Sequence, residues 1–222
     1  MKHITRVFLT LSCILVYFHP VSACWVPEAG TSETRPFQES GQIVRLAELF
    51  EFADSAPVEN GGRSTSLGVV LVTKTGVYSF LETPENENRL DGIRPGTFVE
   101  LTGDLLVSGR LVQIENLVVV PERMGPRIDL ERLRHERGQP VQIVGTNLCK
   151  CGLEVGSLAH SCKLGHLHHL QTADGKIYHY LPGKEGSALY LGGANHFRRV
   201  EITGQEFSGN YLRVVSSRRL ED

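Results

Sequence analysis

Val99-Glu100-Leu101-Thr102-Gly103 returns as Val200-Glu201-Ile202-Thr203-Gly204, and this echo decides how the rest of the chain is read. Working outward from it, Ser108-Gly109-Arg110-Leu111-Val112-Gln113-Ile114 corresponds to Ser208-Gly209-Asn210-Tyr211-Leu212-Arg213-Val214. Upstream, Val77-Tyr78, Phe80 and Leu81 reappear as Ile177-Tyr178, Tyr180 and Leu181, and Gln42-Ile43-Val44 as Gln142-Ile143-Val144. Four matches in one order, at an offset of roughly one hundred residues, define an internal duplication.

Short apolar or alternating runs rich in Val, Ile, Leu and Tyr, divided by turns such as Lys74-Thr75-Gly76 and Ala173-Asp174-Gly175, predict β-strands in each repeat. In the first repeat they lie near 42–52, 67–73, 77–82, 97–107 and 110–120, with a long polar connection from Thr83 to Gly96. The expected fold is all-β: two tandem five-stranded barrels, repeat 1 over 41–121 and repeat 2 over 140–222. A linker, 122–139, joins them and holds a short helix from Ile128, with Asp129 near its start, Arg134 and Arg137 near its end and Gly138 just beyond. Five strands with a long third connection resemble the OB fold, and the run Tyr-x-Phe-Leu, loop, Val-Glu-Leu-Thr-Gly resembles the OB-type domains of exported bacterial proteins. That resemblance implies a binding module and does not name its ligand.

Lys2 and Arg6 precede an apolar run, Val7 to Phe18, which His19-Pro20 and the small residues Val21-Ser22-Ala23 terminate ahead of Cys24. The run is too short for a membrane helix, which needs about 20 apolar residues, and the pattern is that of a signal peptide, residues 1–23. Export to the periplasm or the exterior is the expectation. Val21-Ser22-Ala23-Cys24 also resembles a bacterial lipobox, which would place a lipid anchor at Cys24. Residues 24–40 are polar, contain Pro and Gly, and read as a loose N-terminal arm. Without the signal the chain holds 21 basic and 25 acidic residues, a net charge of −4, which argues against nucleic acid as a partner.

Chemistry concentrates in the second repeat. Cys149-Lys150-Cys151, Cys162 and His166-Leu167-His168-His169 fall there, with His160, His179 and His196, whereas the first repeat has neither Cys nor His at the corresponding places. Cys149 and Cys151, two apart on one strand, point to one face. If that strand forms a hairpin with the next, closing near 151 and 166, then Cys151 faces His166 and Cys149 faces His168. Two thiolates and two imidazoles form the ligand set of tetrahedral zinc, and a cuprous ion is also acceptable. Candidate metal ligands are therefore Cys149, Cys151, Cys162, His166 and His168. A register slip of one would substitute Leu167 and His169.

Against this stands disulfide formation, since cysteines of exported proteins normally pair and Cys24, Cys149, Cys151 and Cys162 form an even set. Pairing Cys162 with one of the Cys149/Cys151 pair and Cys24 with the other would pin the arm to the second barrel. A thiol redox centre is a third reading, though no βαβ pattern surrounds the Cys-x-Cys. No nucleophile elbow, phosphate loop or Cys-x-x-Cys-His is present, so no catalytic residue is assigned. Tyr78, Phe80, Tyr178 and Tyr180 read as core aromatics before they read as a stacking platform. Two functions follow: a non-enzymatic exported binding protein holding zinc or copper in its second repeat, or a disulfide-stapled interaction protein of the cell envelope.

Overall fold

The computed structural model describes residues 33–50, 68–150, 153–155, 158–159, 168–191 and 195–221. The signal segment, Cys24, Cys151, His160, Cys162 and His166 lie outside these described residues.

Five strands build the first sheet: β1 (Thr34–Arg45), β2 (Val69–Thr73), β3 (Val77–Phe80), β4 (Phe98–Leu106) and β5 (Leu111–Val120). It closes on itself in the order β1-β2-β3-β5-β4, antiparallel throughout except for β3 beside β5. Closure follows from the period-2 pattern. In β4, Val99, Leu101 and Leu105 turn inward while Glu100 stays in solvent, and the inward row meets Phe37, Ile43, Leu71, Tyr78, Phe80 and Ile114.

The second sheet repeats the plan with β6 (Gln139–Cys149), β9 (His168–Thr172), β10 (Ile177–Tyr180), β11 (Arg198–Phe207) and β12 (Tyr211–Arg219). Its circular order, β6-β9-β10-β12-β11, matches the first strand for strand, with β10 parallel to β12. Its core gathers Ile143, Leu170, Tyr178, Tyr180, Val200, Ile202 and Leu212. The four strand aromatics are therefore core residues, 4–6 % exposed. Between Cys149 and His168, β7 (Glu154–Val155) and β8 (Leu158–Ala159) form a small separate pair.

The quoted motif has a structural purpose. The ladder shifts register beside Thr102 and Gly103 of β4 and beside Thr203 and Gly204 of β11, the extra residue lying on the partner strand, Glu115 of β5 and Val215 of β12. A Cβ at Gly103 would collide with the carbonyl of Gln113, and one at Gly204 with that of Arg213, so the glycine lets the strand bend tightly over its neighbour.

Three features depart from the sequence expectation: the start of the first strand, its end, and the helix in the third connection. Residues 34–40, read as arm, belong to β1, which pairs with β4 from Thr34 opposite Leu106 onward. The run expected to continue strand one to 52 turns instead into a short helix, α1 (Leu46–Leu49). The long third connection holds helix α2 (Pro84–Leu90), capped by Thr83, and its counterpart holds α4 (Lys184–Leu191). In the linker, α3 (Leu130–Arg134) starts from Asp129, whose carboxylate accepts from the Arg132 amide at 2.9 Å. Among the described residues no helix is long and apolar enough to cross a membrane.

The two barrels meet through equivalent surfaces. A Cβ on Gly109 would lie 3.4 Å from Cβ of Ile177, and one on Gly209 would lie 3.0 Å from Cβ of Val77. The contact is thus reciprocal, residue for equivalent residue, in the manner of a two-fold interface. Around it Val44, Phe50, Val72 and Val77 pack with Leu181, Phe207 and Tyr211, and Leu81 and Leu106 pack with Leu153 and Ile177. His179 Nε2 donates to the Gly109 carbonyl at 2.7 Å, and Asn210 Nδ2 to that of Ser108 at 3.0 Å.

Candidate functional site

Of the five candidate ligands, Cys149 and His168 are described, and the strands bring them together. Strands β6 and β9 are antiparallel, with Cys149 opposite His168 and Asn147 opposite Leu170. This is the register expected of a hairpin closing near 151 and 166. Residues directly opposite share a face, and Leu170 lies in the core, so Cys149 and His168 stand at the end of the barrel's inward rows. Both are buried, His168 completely. Cys151, Cys162 and His166 lie outside the described residues.

Unforeseen in the sequence is the part played by His196. Helix α4 crosses the end of the barrel, and the chain then returns through residues 195–197 into β11. His168 Nδ1 donates to the Tyr190 carbonyl in the last turn of α4, at 3.0 Å. That bond places the proton on Nδ1 and turns Nε2 toward His196, whose Nδ1 is 2.7 Å away. The rings cross nearly at right angles, centroids 5.0 Å apart. A backbone carbonyl on Nδ1 fixes the tautomer whose Nε2 lone pair can bind a metal, and in this structure that lone pair accepts from His196 Nδ1. The arrangement is equally a way to satisfy a buried histidine with hydrogen bonds.

A second buried polar group holds the same layer in place. Asn147 Nδ2 donates to the carbonyls of Leu189 (3.2 Å) and Asn195 (3.1 Å), and its Oδ1 accepts from the Tyr180 hydroxyl at 2.9 Å. Burial pushes the Tyr180 phenol well above its ordinary range, so it stays a proton donor. One side chain from β6 therefore ties both α4 and the following turn, and with them Tyr190 and His196, to the barrel end. Asn147 gave no signal in the sequence beyond its place two residues before Cys149. His196 could have been noticed as the last member of the histidine cluster.

Among the described residues no group of three or more His, Cys, Asp or Glu side chains is placed to hold a metal ion. What the described residues show is two pairs that share His168: Cys149 opposite it across the ladder, and His196 hydrogen-bonded to it. No protein family matches the chain, and no curated protein or solved structure matches it significantly.

Proposed function

We propose that the chain is an exported, non-enzymatic binding protein built from two OB-type barrels, the second of which holds a transition metal through thiolate and imidazole groups. The observation that carries this is the pairing of Cys149 with His168 across β6 and β9, with both residues buried and the His168 ring fixed by hydrogen bonds to the Tyr190 carbonyl and to His196 Nδ1. The OB assignment rests on the five-strand closed order and on the long third connection, which holds a helix in both repeats. Zinc or a cuprous ion suits these ligands. Cys151, Cys162 and His166 are the remaining candidate donors, from which, with Cys149 and His168, a tetrahedral site would draw four, and His196 supports His168 through its hydrogen bond. Signal cleavage before Cys24, with or without a lipid anchor there, belongs to the same proposal.

Elemental analysis and thiol counting on the mature protein test it. The expected result is one equivalent of metal with reduced thiols, released when His168 or His196 is changed to Ala. Metal-free protein with no free thiols, and a stability indifferent to those histidine changes, would replace this reading with the disulfide-stapled interaction protein.

A further inference from the structure

A cavity of about 190 Å³ opens where the two barrels meet. Its walls come from both repeats and are mostly apolar, Val70, Phe80 and Leu181 among them. Two polar pairs interrupt that lining. Ser79 Oγ lies 2.6 Å from the Tyr211 hydroxyl, and Lys150 Nζ lies 3.2 Å from Glu82 Oε1. In both pairs one partner comes from each repeat.

The balance of donors, acceptors and charge specifies a guest. Between Ser79 and Tyr211 one hydroxyl hydrogen makes the mutual bond, which leaves the second for another acceptor. Burial pushes the Tyr211 phenol up to about 12, so that hydroxyl keeps its hydrogen at neutral pH. Lys150 has three N–H donors and gives one to Glu82. The site is thus rich in donors while the Lys150 and Glu82 charges cancel. An anionic or cationic guest would carry an unpaired charge into an apolar site, a cost of several kcal/mol. Size sets the remaining limit, since a cavity of about 150 Å³ accommodates benzene.

From this geometry we propose that the cleft between the barrels is a binding site for a small uncharged molecule with an apolar body, about one aromatic ring in size, and a single carbonyl oxygen that accepts from Tyr211, Ser79 or Lys150. The cleft uses neither Cys149 nor His168, although Lys150 lies between Cys149 and Cys151 and Tyr190, whose carbonyl holds His168, also lines it; binding of the neutral probes is therefore measured without reference to metal content.

Acetophenone, ethylbenzene and phenylacetate are of similar size and differ in the property at issue. Calorimetry and ligand-observed NMR on the full chain should show acetophenone binding roughly tenfold more tightly than ethylbenzene, and phenylacetate weakest of the three. Tyr211→Phe keeps the ring but removes a donor, and should weaken acetophenone roughly fivefold while leaving ethylbenzene unchanged. Ser187→Trp, placed on half-buried lining from α4, should fill the cleft and reduce binding of both neutral probes. Ethylbenzene or phenylacetate binding as tightly as acetophenone would overturn the proposal, as would acetophenone binding unaffected by both variants. No binding of acetophenone up to about 10 mM would also overturn it.

Discussion

Lys150 and Glu82 bury an ammonium and a carboxylate at the junction, with side chains 12 % and 10 % exposed. Burial would lower the Lys150 pKa, but the Glu82 carboxylate, with Tyr190 and Tyr211 nearby, more than offsets it and the pKa is raised. A lysine whose folded pKa exceeds its ordinary 10.5 adds stability that is fully present below 10.5 and is lost as pH rises through the folded value. Urea melts should therefore show this contribution constant through the neutral range and declining only in strong alkali. Lys150→Met should cost about 3–5 kcal/mol, because it strands a buried carboxylate, whereas Lys150→Met combined with Glu82→Leu should recover most of that loss. A double variant no more stable than the single one would show that the carboxylate is not what the single change strands. At this scale the sequence was partly legible. Cys149 and His168 were found by spacing, since opposite positions in a hairpin follow from where it closes. His196 and Asn147 were not, because their approach depends on how α4 lays the chain across the barrel end.

Between elements, the two repeats solve one problem differently. In the first, α2 is attached by Asn86, whose Nδ2 donates to the carbonyls of Leu81 (2.7 Å) and Val112 (3.0 Å) and whose Oδ1 accepts from the Ile114 amide at 2.8 Å. The equivalent position in α4 is Gly186, and any Cβ there would strike the carbonyl of Leu181, the counterpart of Leu81. A polar bracket in one repeat is thus direct backbone approach in the other. Asn86→Leu should lose roughly 3 kcal/mol, since three backbone groups lose their side-chain partner in a buried site. Gly186→Ala should cost about 2 kcal/mol and, by pushing α4 outward, lengthen the Tyr190 to His168 contact. Denaturant midpoints give the energies, and the His168 ring resonances report the displacement. Retained midpoints in both variants would mean that neither helix is fastened in this way. Strand existence was legible here from period-2 alternation. The first residues of β1 were not, because Thr34 to Ser40 is polar apart from Pro36 and Phe37 and becomes a strand only through its pairing with β4. The helix in the third connection was missed for a related reason. Its sequence, Pro84 to Leu90, is polar apart from its ends and reads as a loop until the barrel wall buries Asn86 and Leu90.

Across the whole molecule, the apolar clusters that span both barrels make folding a joint event. Hydrogen exchange should therefore show the slowest amides of β4 and β11 opening with one free energy rather than two. Gly209→Val should lower protection in the first repeat as well as the second, because its side chain would press on Val77. Protection lost in the second repeat alone would mean that the barrels unfold separately. The sequence announced the duplication but not the junction, since a self-comparison aligns residues that are equivalent and says nothing about which of them touch.

The reciprocal contact at Gly109 and Gly209 has a consequence for how such a molecule can diversify. A chain of one repeat meeting the same contact would be a symmetric dimer, where every substitution appears twice and assembly depends on concentration. Joining the halves makes their encounter intramolecular, with an effective concentration of order millimolar for a short linker. It also frees each half to change alone. A serine can then face a tyrosine and a glutamate a lysine, and cysteine and histidine can collect in one copy while the other retains only the scaffold.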